Sequence, residues 1–308
     1  MEKTKCLIIG AGPAGLSAAI YTARAGVPTL VIGCAPKVAG DYDIDNYFGF
    51  PETISGADLM DRGLRQAQRF GAEVRCDQIL GLHTSEAGGF VAKTVSGEIE
   101  ARSVIIAAGV SRNRPNIPGL DRYDGKGVSW CVSCDGFFYR GRKVLVVGER
   151  DYAANQAIEL LAFTPQVSVC TGGKPSQISP DYAARLAEHG IAVTTAKITA
   201  LSGDPALTAV TLDPGGEQAM DGIFVAMGQA SALDFAATLG LVRHRDFIEA
   251  DEDQKTNIPG VFAAGDCVGK FLQIGVAVGE GAKAARSAIR FLKERKEGGT
   301  LGGPSRTG

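Results

Sequence analysis

Cys131 and Cys134 stand three residues apart in WCVSCDGFF, and Asp135 directly follows the second of them. At that spacing the two sulfurs can bridge, and a helix beginning at the pair lowers one thiol pKa and favours the reactive thiolate. Reducing a disulfide consumes two protons as well as two electrons, and the adjacent carboxyl is placed to handle a proton. Cys131, Cys134 and Asp135 are therefore the catalytic candidates. The competing readings are half of a metal site or two idle thiols. With no second cysteine pair and only His83, His189 and His244 in the chain, the ligands of a structural zinc site are missing and no metal is expected. The other cysteines, Cys6, Cys34, Cys76, Cys170 and Cys267, read as buried or idle thiols, because an odd set of seven over a long chain is unlike a secreted disulfide framework.

A second motif, GAGPAG at residues 10–15, is a phosphate-binding loop in form. Gly10 permits the tight turn, Gly12 lets backbone approach a pyrophosphate, Gly15 lets helix pack on strand, and the helix N-terminus attracts the phosphates. GxGxxG alone is a weak signal, and an ordinary glycine turn is the bland alternative. Here the motif sits between the apolar run KCLIIG, an amphipathic helix LSAAIYTARAG and a second apolar run PTLVIG, which is the context that the chemistry requires.

The same pattern recurs near residue 143, where RKVLVVG, DYAANQAIELLAF and QVSVC read as strand, helix and strand. Between the two units lie a buried-looking strand, EARSVIIAAG, and a proline-bearing linker, RNRPNIPGL. NIPGVFAAGD then repeats the strand-and-small-turn theme, leads into a long helical run, and is followed by a tail, GGTLGGPSRTG, with the composition of a disordered end. The expected fold is α/β, with two Rossmann-like nucleotide-binding domains, the second inserted into the first. Residues 1–115 and 247–308 form the first domain, and 116–246 the second, which carries the CxxC.

Composition excludes several classes. Thirty-two basic against 34 acidic side chains leave a net charge of −2, so nothing global steers the chain to nucleic acid or an anionic membrane. No uncharged apolar run approaches the roughly 18 residues of a membrane helix, and a cytoplasmic protein is expected. Glycine is in excess, 41 of 308 residues, without collagen-like periodicity.

Together these residues resemble the low-molecular-weight thioredoxin reductases, across residues 5–292. The matching motifs are GAGPAG, DNYFGFPETISGADLM at 45–60, AAG at 107–109, CVSCDGFFYRG at 131–141 and NIPGVFAAGD at 257–266, with QI at 273–274. The resemblance implies an FAD-binding domain, an inserted CxxC domain and a homodimer. It implies FAD contacts from Gly10, Gly12, Ala14, Gly15, Asn46, Ala108, Gly109, Gly265, Asp266, Gln273 and Ile274. It further implies that Cys134 faces the flavin, Cys131 attacks the partner disulfide and Asp135 is the acid.

The departures are as informative. Members that use NADPH carry a GxGxxA-type loop in the second unit, then a histidine with two arginines that grip the 2′-phosphate. This chain has Gly148, Glu149, Arg150, Asp151, Tyr152 and Ala153 in the loop, and Thr171, Gly172 and Gly173 where the basic cluster belongs. Losing two charge-assisted contacts of about 1.5–3 kcal/mol each costs several powers of ten in affinity. The second strand also ends at Gly33, where many flavoproteins place a ribose-binding glutamate. The expected activity is thus an FAD-dependent dithiol/disulfide oxidoreductase that does not use NADPH efficiently, most similar to the ferredoxin- or flavin-linked members. Electrons come from ferredoxin or a second flavin stacked on Tyr152, whose bland reading is a surface helix residue, and pass through the CxxC to thioredoxin or a similar disulfide protein. Arg112, Arg114, Arg140, Arg142 and Lys143 are candidates for a basic ferredoxin-docking patch. An oxygen-dependent dithiol oxidase and a non-enzymatic flavin-binding sensor are the alternatives.

Overall fold

The computed structural model describes residues 1–297 apart from 35, 41, 42, 87 and 111–113. Arg112 and the glycine-rich tail lie outside the described residues. The chain divides into two compact units, Met1–Val110 with the chain from Leu239, and Ser111–Thr238.

The first unit is built on a sheet whose parallel core runs Glu73–Arg75, Thr29–Ile32, Glu2–Ile9, Glu98–Ile106. Strands buried on both faces must be apolar throughout, and CLII, TLVI and SVII are the runs that meet this demand. The free side of Glu98–Ile106 is shared. Phe90–Thr94 pairs antiparallel with its first half, and Val261–Ala263 runs parallel to its second. Helix Pro13–Arg24 opens with proline in its first turn and stops before Gly26, whose φ of 71° a side chain would resist. Against it packs the long helix Ile274–Glu297, through Ala14, Ala18, Ala277, Ala284 and Ala288. The crossing is close because the residues are small: a side chain on Gly281 would fall on the Ala14 carbonyl oxygen.

The second unit holds a five-stranded, all-parallel sheet in the order Ala192–Thr194, Val167–Cys170, Val144–Val147, Gly222–Val225, Val128–Ser129. Helices Asp151–Leu160 and Pro180–Glu188 belong to this sheet, and a three-stranded meander over Lys197–Ser202, Ala209–Asp213 and Gly216–Ala219 completes the unit. The sequence reading did not anticipate the meander or the hairpin Ile79–Thr84/Phe90–Thr94, because neither carries a glycine-loop signature. Among the described residues no helix is long and apolar enough to cross a membrane.

Candidate functional site

In the second unit the dithiol pair lies at the mouth of a single helical turn. Cys131 is the N-cap of Val132–Asp135, in extended conformation, and its sulfur accepts the Cys134 N–H at 3.2 Å. Cys131 and Cys134 are joined as a disulfide. The turn into a helix that the motif suggested is present, but at four residues it brings this one N–H to the sulfur rather than the dipole of a long helix. Ser129, buried at the end of its strand, orders the rest. Its hydroxyl donates to Asp135 Oδ2 at 2.6 Å and accepts the Cys131 N–H at 3.2 Å, so one side chain fixes both the carboxylate and the backbone of the first cysteine. Cys134 and Phe137 and Phe138 beyond it are exposed, and Cys131 is half-buried. Of the basic side chains, Arg114 pairs with Asp121 at 2.9 Å and stacks on Trp130, Arg140 lies over Phe137, and Arg142 approaches Asp221 at 4.0 Å.

The first unit carries the dinucleotide cradle. Gly10 has φ 110°, and a side chain there would strike the Ala107 carbonyl. Gly15 packs on the Gly10 carbonyl, so both are glycine for want of space. Gly12 differs. It caps helix Pro13–Arg24 with no side-chain hydrogen bond, and a Cβ there would meet only Pro36, 3.8 Å away. A side chain at Gly12 would have room but would stand in front of the first turn of a twelve-residue helix, the place where a phosphate is favoured. Ala14 and Gly265 meet at the same end, with 2.9 Å between Ala14 Cβ and a Cβ built on Gly265. The Gly265 N–H donates to the buried Glu280 carboxylate at 2.9 Å, and Asp266 follows with its carboxyl pushed up by burial. Asn46 and Gln273, 227 positions apart in sequence, are joined by a 3.0 Å hydrogen bond. Gln273 precedes helix Ile274–Glu297 and its carbonyl accepts the Ala277 N–H, while Ala108 and Gly109 follow the strand Glu98–Ile106. Glu280 was not anticipated, because one glutamate in a helix carries no signal until its partner is known.

In the second unit's glycine loop the chain makes internal contacts of its own. Glu149 is buried, and its carboxylate accepts the Gly228 N–H at 3.3 Å and the Lys174 ammonium at 3.1 Å. This places an internal anion at the carboxyl ends of adjacent parallel strands, where nucleotide folds bind phosphate. Gly172 and Gly173 are more than missing arginines. With φ of 68° and 86° they form the turn that returns Lys174 to Glu149, and Thr171 closes it by donating to the Lys174 carbonyl. Arg150 takes the N-cap position of helix Asp151–Leu160 with its Nε buried and unpartnered. Two readings are corrected. Tyr152 is 5% exposed, hence neither a surface residue nor a platform with a face free to stack on a flavin. Cys34 and Cys76 are not idle thiols but a disulfide between the ends of neighbouring strands, a closeness hidden by 42 positions of sequence. Cys6, Cys170 and Cys267 are buried thiols, with Cys6 and Cys267 pushed up to about 12 by burial.

Two parallel nucleotide folds, one with an open dinucleotide cradle and one bearing a paired dithiol with its own carboxyl, define a thiol–disulfide oxidoreductase of the dinucleotide-dependent kind. The chain belongs to the pyridine nucleotide-disulphide oxidoreductase family, whose model matches residues 4–281. It is 34% identical over 308 residues to a thioredoxin reductase of Listeria monocytogenes, covering 94% of each protein, and 33% identical over 303 residues to that of Bacillus subtilis, covering 94% of this chain and 95% of the relative. Among solved structures it is similar to the atypical thioredoxin reductase TRi from Desulfovibrio vulgaris Hildenborough, with 62% identity, TM-score 0.92 and coverage of 94% and 98% of the two chains. A ferredoxin-flavin thioredoxin reductase from Clostridium acetobutylicum matches at 29% identity and TM-score 0.70, over 96% of this chain and 99% of that one. The protein is therefore a disulfide oxidoreductase enzyme of thioredoxin-reductase type. Membership of the family implies FAD, and the cradle at Gly10, Gly12 and Gly15 fits a dinucleotide.

Proposed function

We propose that this enzyme reduces the disulfide of thioredoxin or a similar protein without drawing efficiently on NADPH, taking electrons instead from ferredoxin or another non-nicotinamide carrier. One observation carries the reading: the Glu149 carboxylate, locked by Lys174 and the Gly228 N–H, stands at the phosphate-binding edge of the second unit. An anion already seated there repels a pyrophosphate, and the Gly172–Gly173 turn offers no arginine to a 2′-phosphate. Similarity to a ferredoxin-flavin thioredoxin reductase supports the choice of donor class.

In the first unit Gly10, Gly12, Ala14, Gly15, Asn46, Ala108, Gly109, Gly265, Asp266, Gln273 and Ile274 would hold FAD. When bound there, FAD would supply the electron pair needed to reduce the Cys131–Cys134 disulfide. The chain's own residues do the rest. The Cys131 thiolate, favoured by the Cys134 N–H, attacks one sulfur of the partner's disulfide to give a mixed disulfide. Cys134 then yields its proton to Asp135, which Ser129 holds, and displaces the partner, whose leaving thiolate takes that proton from Asp135. Cys134 is the thiol on the flavin side of the exchange.

Anaerobic stopped-flow mixing tests the reading. Millimolar NADPH is expected to leave the oxidised flavin spectrum unchanged, whereas dithionite-reduced enzyme reduces thioredoxin. Rapid bleaching at micromolar NADPH refutes it. Cys134→Ser should abolish thiolate-to-flavin charge-transfer absorbance and Cys131→Ser preserve it, and the opposite pattern reverses the two roles.

A further inference from the structure

The Cys34–Cys76 disulfide has no part in that chemistry. Its Cα atoms are 4.3 Å apart, and it closes where strands Thr29–Ile32 and Glu73–Arg75 end side by side. Those strands are already in register from Leu30 opposite Glu73 to Ile32 opposite Arg75, and the Gly33 N–H donates to the Arg75 carbonyl at 3.0 Å. The cross-link is therefore not needed to pair them. What it constrains is the chain beyond.

That chain runs to Pro36, whose Cβ lies 3.8 Å from the place a side chain on Gly12 would take, and on to the turn Lys37–Ala39. There the Val38 carbonyl fills the space that a side chain at Gly56 would need, pinning the turn to the start of helix Gly56–Arg69. Pro36 thus overhangs the second glycine of the dinucleotide loop between two anchors, the disulfide and the Val38–Gly56 contact. Ligands of parallel α/β sheets bind outside the carboxyl ends of the strands, and the end of the second strand is the ribose side of the site. An acid cannot stand at Gly33, because a Cβ built there lies 2.7 Å from the Ala11 nitrogen.

We propose that Cys34–Cys76 is a second thiol–disulfide site, addressed by dithiols, that staples the ribose side of the cradle and slows loss of FAD. The proposal rests on the FAD reading of the first unit. Cys76 is exposed and Cys34 half-buried, so the thiolate of an incoming dithiol attacks the Cys76 sulfur. A mixed disulfide forms, and Cys34 leaves as a thiolate and takes up one proton. The second thiol of the dithiol then displaces Cys76, which takes up the other. The dithiol ends as a disulfide, and two electrons and two protons have passed to Cys34 and Cys76. A disulfide partner recloses the staple by the reverse path.

The test uses the full-length protein carrying Cys131→Ser and Cys134→Ser, so that the dithiol centre cannot respond. Non-reducing peptide mapping should give a cross-linked pair containing Cys34 and Cys76, which disappears when the native protein is treated with dithiothreitol. Release of FAD, followed by the rise in free-flavin fluorescence after dilution, should become about tenfold faster on reduction, as for a segment left with one anchor instead of two. Adding Cys34→Ser and Cys76→Ser should give the fast rate in both redox states. Absence of the cross-linked peptide, its resistance to dithiothreitol in the native protein, or release that ignores redox state overturns the staple and leaves the FAD reading intact. A protein that carries no FAD and takes up none overturns both.

Discussion

The internal ion pair of the second unit makes an asymmetric prediction. Glu149 has a side chain 7% exposed, while Lys174 is 50% exposed, so the two partners do not lose equally when the other is removed. Replacing Glu149 by glutamine keeps an acceptor for the Gly228 N–H and leaves a lysine that water can solvate. The loss is that of a half-solvated pair, about 1 kcal/mol. Replacing Lys174 by alanine instead strands a buried carboxylate with a single N–H donor. Breaking a fully buried pair in this way costs about 3–5 kcal/mol, and the water that can follow the half-exposed lysine reduces it here to roughly 2–3 kcal/mol. For a unit of this size, roughly 4 °C of melting temperature corresponds to each kcal/mol, so the expected losses are about 4 °C for Glu149→Gln and about 10 °C for Lys174→Ala. The double variant should recover most of the larger loss, since it no longer buries an unpaired charge. Differential scanning calorimetry of the four proteins, with unfolding of the second unit followed by its own circular dichroism signal, reads this directly. Equal losses, a larger loss from the glutamate variant, or additive losses in the double variant would refute the claim that Glu149 is a buried, internally satisfied anion.

Three further outcomes are expected. Installing the arginines of NADPH-using relatives, as Gly172→Arg with Gly173→Arg, should destabilise the protein by about 1–2 kcal/mol per residue, because both positions are left-handed, and should produce no micromolar NADPH binding by equilibrium titration. Asp266, whose folded-state pKa is raised by burial, favours the protonated fold, so its contribution is fully present below the ordinary aspartate pKa and is lost as pH rises through the raised value. Asp266→Asn should therefore stabilise flavin-depleted protein at neutral pH, with the gain fading as pH falls through the raised value and gone below about 4, and a gain that persists into acid contradicts the assignment. Finally, alkylation of reduced native protein at pH 8 should modify Cys34, Cys76, Cys131 and Cys134 within minutes but spare Cys6 and Cys267. Buried thiols pushed up to about 12 hold about one part in ten thousand as thiolate at that pH, so their labelling before unfolding would refute the burial.

Much was legible in the chain because the decisive signals are local. The glycines at 10, 12 and 15, the run from Cys131 to Asp135, and the apolar strands on either side of each loop are short-range patterns with one physical solution each. They determined two nucleotide folds, a dithiol chemistry and a second glycine loop that departs from the GxGxxA pattern. Tertiary structure alone decided the pairings. Asn46 meets Gln273, Glu280 meets Gly265, Lys174 returns to Glu149, and Cys34 reaches Cys76. Each joins residues 15 to 227 positions apart, and no spacing rule predicts a contact set by strand register or by where a loop returns. Glycines 172 and 173 show the difference best. In sequence they are two absent arginines, and in the fold their positive φ angles build the turn that brings a lysine back to an internal carboxylate.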